Sequence, residues 1–191
     1  MTSREKILAA VRKNQPTSNG LPTSRHTEAN DTPLVGTFMQ VLGSIGGAVI
    51  KVDSPNEIQG HLSNPGNARI VTTVEALTFA EQVQVGVDPH TLQDVHTAII
   101  EGIFGVAENG AIWITEEQLK VRALPFICEH LVIVLSQAAI VPNMHEAYYR
   151  IGVEDHSFGV FIAGPSKTAD IEQSLVLGAH GSRTLSVFLT P

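Results

Sequence analysis

Glu108-Asn109-Gly110 places a carboxylate beside a glycine in a turn, where loops can enclose it against a ligand. A glutamate so placed is a candidate polar contact for that ligand. A second concentration of reactive types runs Gly164-Pro165-Ser166-Lys167-Thr168-Ala169-Asp170-Ile171-Glu172 and closes with Gly178-Ala179-His180-Gly181. The apolar run 158–163 before it has the length of a buried strand. Gly164 and Pro165 break that strand, and Ser166 suits a helix N-cap whose hydroxyl accepts from a first-turn N–H. Thr168, Ile171 and Leu175 then share one helical face, and Gly178 ends the helix. A glycine turn opening a helix gathers free N–H donors at a positive dipole end, which favours an anion, so Gly164, Ser166, Thr168 and Asp170 form the expected anion site. His180, between small residues, can work as acid, base or donor near neutral pH.

Each of these features also has a plain structural explanation. Asn-Gly is the preferred pair of a tight hairpin, because both residues tolerate positive φ, and Glu108 then reads as a solvated turn residue. Capping alone accounts for Ser166. Asp170 and Glu172, two apart on a helix, diverge and cannot pair as acid and base; Asp170 in the first turn also repels an anion and can serve the helix dipole alone. Lys167-Thr168 ends like a phosphate loop, yet Ser166 and Phe161 stand where its glycines are required. Gly43 to Gly47 precedes a strand instead of following one, so it is no dinucleotide fingerprint. The remaining histidines show no i, i+4 pair and no short ligand spacing, and no bound metal is expected. Trp113 and Phe126 read as core or interface anchors.

The order Gly-Pro-Ser-x-Thr-Ala-Asp-Ile-Glu, then Gly-x-His-Gly and a last hydrophobic strand over 184–189, resembles the C-terminal signature of the LUD family, in its lactate utilization protein C branch. Ala107-Glu108-Asn109-Gly110-Ala111-Ile112 is similar to that family's glutamate-x-glycine hairpin, and the stretch from Leu124-Pro125 to Ile140-Val141-Pro142 follows its run. The likeness covers residues 100–191 well and the first half by general pattern; Ser182 departs from the family's usual proline. It implies a fold like that of ribose-5-phosphate isomerase and the CoA transferases. It also implies a subunit of bacterial machinery that oxidises L-lactate to pyruvate beside iron–sulfur subunits, with a small organic acid or acyl ligand. Glu108-Asn109-Gly110 also resembles the tripeptide of class I CoA transferases, which makes a stand-alone acyl-transfer enzyme an alternative; a non-catalytic assembly or sensor module is another. Under the leading reading Glu108 and His180 are the catalytic candidates, and Gly110 joins the substrate- or anion-binding residues.

The bulk of the chain sets limits on these readings. Its 191 residues suit one domain that buries about 70% of its unfolded surface. A net charge of −7 with scattered Lys and Arg argues against a nucleic-acid partner. No apolar run nears the roughly 20 residues of a bilayer span, and the N-terminus lacks a signal-peptide core, so no membrane partner is expected and the protein reads as cytoplasmic. The single cysteine, Cys128, excludes an internal disulfide or a cysteine-ligated cluster, so no cofactor is expected within this chain and redox centres belong to partners. A homo-oligomer is compatible with all of this.

The elements that must position these groups follow from periodicity. Residues 1–15 hold an amphipathic helix, 16–33 a polar linker, and 34–191 the domain. Within it, helices are predicted at 34–45, 54–62, near 77–82 and at 142–150. Strands are predicted at 48–52, 69–74, 97–106, 111–115, 130–135, 158–163 and 184–189. Strands alternating with helices imply an α/β fold: an open, mainly parallel sheet with flanking helices and one hairpin.

Overall fold

Ala98-Ile99-Ile100, Leu131 to Leu135 and Val187-Phe188-Leu189 are apolar without alternation, as strands are when both faces of a parallel sheet are covered. In the computed structural model, which describes residues 2–16, 33–62, 68–152, 157–169 and 175–191, they form the centre of a six-stranded sheet. Its strands are β1 (Ala48–Lys51), β2 (Ile70–Thr72), β3 (Glu81–Gln82), β4 (Thr97–Glu101), β7 (His130–Ser136) and β12 (Thr184–Thr190). They lie in the order β1-β12-β7-β4-β2-β3, and every pairing is parallel. A second sheet, ordered β8-β5-β6-β9, takes β5 (Phe104–Val106), β6 (Ile112–Thr115), β8 (Ile140–Val141) and β9 (Gly159–Ile162).

Alternate residues of each central strand divide the core. Ala98 and Ile100, Leu131, Ile133 and Leu135, and Leu185, Val187 and Leu189 face the second sheet, α2 (Leu34–Ser44), α4 (Glu116–Leu119) and α5 (Leu124–Ile127). Ile99, Val132, Val134 and Phe188 face the opposite way, onto Val52, Ile58 of α3 (Ile58–His61) and Leu77. The far side of the second sheet buries Phe104 and Val106 against Ala147 of α6 (Met144–Ile151). α1 (Ser3–Lys13) buries none of its residues; Thr2 and Glu5 form a capping box at its start.

The open, mainly parallel α/β architecture thus stands as read from the sequence, with four local differences. The stretch 97–106 is two strands in two sheets. A Cβ at Gly102 would lie 2.6 Å from Ile112 Cγ2, so this glycine lets the chain leave one sheet beneath the other. The helix expected near 77–82 is a turn leading into β3; Leu77 is buried, and the Gln82 side-chain amide donates to the carbonyls of Val74 and Leu77. The Glu108-Asn109-Gly110 connection is a wider loop: Gly110 N–H donates to Val106 O, Ala111 N–H to the Asn109 side chain, and only Gly110 has positive φ.

The helix expected after Ser166 is the largest correction. Lys167–Ala169 (β10) pairs antiparallel with Leu175–Leu177 (β11), a second hairpin where a helix was predicted. Leu175-Val176-Leu177 is a strand-forming run, and the Thr168 hydroxyl donates across the pair to Val176 O at 3.2 Å. Asp170, Ile171 and Glu172 lie outside the described residues, as does most of the 16–33 segment.

Candidate functional site

Glu108 is exposed at the loop joining β5 and β6, and its Oε1 accepts the N–H of Met144 at 2.8 Å. The carboxylate therefore caps the first turn of α6, beside Asn143, whose side chain accepts from Glu146 N–H. Gly110 has φ +69°, and a Cβ there would stand 3.1 Å from Leu42 Cα, so both its backbone conformation and its nearness to α2 require glycine. Gly164, φ +76°, meets α2 in the same way, at Ile45 O. Extending the Ile112–Ile162 pairing by two residues brings Gly110 level with Gly164. Both turns therefore share one end of the second sheet, against the last turn of α2.

Ser166 does not cap a helix. Its N–H donates to Ser182 O at 2.9 Å, its carbonyl accepts from Gly178 N–H at 3.0 Å, and Gly181 backs onto its side chain. The Lys167 ammonium donates to Ile45 O at the end of α2. The backbone donor that a helix mouth would have offered at Ser166 is thus spent within the fold. Ser166 touches the 178–183 loop that carries His180, whereas Glu108 sits at the capped end of α6. Three hollows among the described residues stand out; neither Glu108 nor Ser166 lines them, and His180 lines one.

These three hollows differ in charge. One of about 560 Å³ is mainly apolar, between Ile50, Leu62, Leu131 and Phe188. One of about 500 Å³ lies at the carboxyl edge of the large sheet, where parallel sheets usually bind ligands; Glu75, Glu101 and Glu117 line it and would repel an acid. The third, of about 550 Å³, holds His180, Arg183, His96, Glu129 and Asp94 at the amino edge. Of the three, this hollow alone contains an arginine, Arg183.

Strand register ties its His96 and Glu129 to His130, Thr97 and Thr184, which line the first hollow. His96 directly precedes β4 and His130 opens β7; Thr97 and Thr184 both stand opposite His130, and His130 N–H donates to His96 O at 2.8 Å. The Arg183 guanidinium donates to Glu129 Oε1 at 2.6 Å, and Arg183 N–H to Glu129 O. Glu129 Oε2 lies 3.9 Å from His96 Nε2. Nδ1 of His96 lies 2.9 Å from Thr97 Oγ1, and Nδ1 of His130 lies 2.6 Å from Thr184 Oγ1. The two rings are 4.5 Å apart. Burial first, and then the neighbouring His96, hold the His130 imidazole below its ordinary pKa. One ligand atom each from His96, Glu129 and His130 falls within a 4.8 Å set, the one grouping among the described residues with the makings of a metal site.

Sequence reasoning missed His96, Glu129, His130 and Arg183 because nothing in their spacing joins them. The available signal was their place in the pattern: each stands at or just before the amino end of an apolar run, and a parallel sheet brings such ends to one edge. Cys128, next to this group in sequence, is 2% exposed, and burial pushes its thiol up to about 12.

Residues 89–190 match the LUD domain. The chain belongs to the LUD domain family. Its relatives include "lactate utilization protein C" of Anoxybacillus flavithermus, 30% identical over 163 residues, covering 81% of this chain and 68% of that protein. The protein of the same name from Geobacillus kaustophilus is 26% identical over 186 residues, covering 85% and 70%. That from Geobacillus sp. WCH70 is 32% identical over 111 residues, covering 55% of this chain and 41% of its own length. A crystal structure of a DUF162 family protein from Deinococcus radiodurans shares the LUD chain's fold, with a TM-score of 0.59 at 19% identity, over 83% of this chain and 96% of that one.

Proposed function

We propose that this LUD-family chain serves L-lactate utilization, the oxidation of lactate to pyruvate, as a subunit that handles a small organic acid beside iron–sulfur redox partners. The observation carrying this reading is the alignment, over 81–85% of the chain, with proteins named lactate utilization protein C. The chemistry of the chain supports the division of labour. Its one thiol is buried and held protonated, so cysteine-ligated redox centres would be supplied by another polypeptide. The amino-edge hollow supports the acid-handling part, because His180 and Arg183 offer donors to a carboxylate there while the carboxyl-edge hollow is lined by glutamates.

Deleting the gene in its host and supplying L-lactate as the sole carbon source tests the role. Growth should fail, return with the wild-type gene, and return weakly with His180→Ala. Undiminished growth of the deletion strain would end this reading. Affinity capture from lactate-grown cells should bring down a cysteine-rich iron–sulfur protein; recovery of this chain alone removes the partner half.

The acyl-transfer alternative rests on Glu108, whose exposure on a loop leaves it accessible. Its engagement with Met144 N–H favours a capping role instead. Incubation with acyl-CoA followed by borohydride separates these two roles, since only a nucleophilic Glu108 yields a reduced adduct.

A further inference from the structure

The geometry points to a divalent transition-metal site, of the kind that takes Zn²⁺, formed by His96, Glu129 and His130 at the amino edge of the large sheet. Two imidazoles and a carboxylate are a donor set that suits this class of ion, and three protein ligands leave at least one coordination position open. Ligand atoms around a tetrahedral ion at about 2.0–2.1 Å stand about 3.3 Å apart. Those available here lie within 4.8 Å of one another, with His96 Nε2 and Glu129 Oε2 at 3.9 Å, so modest side-chain rotation closes the set.

The surroundings of each donor are those of a supported ligand. Each imidazole is held at Nδ1 by a threonine hydroxyl, His96 by Thr97 and His130 by Thr184, and a hydroxyl accepts as readily as it donates. With Nδ1–H donated to threonine, Nε2 is a bare lone pair, the arrangement that outer-shell partners impose on metal-binding histidines. Glu129 is divided in the same manner: Arg183 occupies Oε1, and Oε2 is the oxygen nearest His96. The backbone is rigid where it matters, because all three residues stand at the starts of strands locked in register to one another. Arg183 adds a positive charge that opposes a cation, but its bond to Glu129 orients the carboxylate; Asp94, across the same hollow, is paired with Arg69. Spacing along the chain gave no hint of this group, since the fold, not a local motif, assembles it.

Tag-free full-length protein, stripped with chelator, is titrated with Zn²⁺ by calorimetry, and separately with Co²⁺ while visible absorption is followed. One equivalent of Zn²⁺ should bind. Co²⁺ should develop the visible bands of a low-coordinate nitrogen–oxygen site, a readout that needs no variant. His96→Ala and His130→Ala, checked for folding by circular dichroism without metal, should each weaken binding by about 100-fold or more. Thr184→Val should weaken it by about 10–100-fold. His145→Ala, on the exposed face of α6, should leave it unchanged. Absence of saturable binding at about 100 μM, a Co²⁺ spectrum no different from the aqueous ion, or equal affinity in the His96 and His130 variants would each overturn the assignment.

Discussion

A thiol, a carboxylate and a glycine show how local surroundings set the behaviour of single residues in this protein. Cys128 is buried and its thiol is pushed up to about 12, so thiol reagents should leave the native protein unmodified and label one site after denaturation; mass spectrometry of the two samples decides it. Glu116 is the opposite case. The Arg122 guanidinium at 2.8 Å, and then the Ser157 hydroxyl, hold its carboxyl down to about 2. A depressed folded pKa means the pair contributes above the usual carboxylate range and is lost as pH falls through about 2. Arg122→Leu should therefore raise the Glu116 pKa toward the ordinary 4.5 in carboxyl NMR titration; an unchanged value would show that the pairing does not form in solution. Gly110 carries a steric argument alone. Gly110→Ala should destabilise by about 1–3 kcal/mol in urea unfolding, from positive φ and the 3.1 Å approach to Leu42 Cα.

Helix α6 is where a residue with a catalytic appearance turns out to hold up an element. Glu108 and Asn143 both serve its first turn. Glu108→Ala should lower stability by about 1 kcal/mol, and Glu108→Gln, which keeps an acceptor, by less; equal loss in both would argue against a capping role. The elements also show what the sequence could reveal. β4, β7 and β12 were legible because continuous apolar runs of strand length have few other uses. The β10–β11 hairpin was not, because Thr168, Ile171 and Leu175 fall at helical spacing. The deciding bonds, Ser166 N–H to Ser182 and Thr168 to Val176, join residues that no local pattern relates. The amino-edge histidines were hidden for the same reason: His96 and His130 become neighbours only once β4 and β7 pair. Glu108 and Gly110 were visible as an acidic glycine turn, but the sequence could not show that the carboxylate is engaged by Met144.

At the scale of the whole molecule, the described residues split into a body of two large sheets with the β10–β11 hairpin and a helix, α1, that buries nothing. A chain lacking α1 should unfold within about 0.5 kcal/mol of the full protein, since removing its exposed residues forfeits no core. A larger loss in denaturant titration would show that α1 docks on the body. No helix among the described residues is long and apolar enough to cross a membrane.

The last strand, β12, lies between β1 and β7. On a ribosome, β1 emerges early, and β2 to β11 must all be made before its one sheet neighbour among the described residues appears. Until then its edge, and that of β7, stay open to wrong partners. A nascent chain stalled just short of β12 should therefore be a strong chaperone client, and the protein's yield in a cell should depend on how quickly β12 clears the exit tunnel.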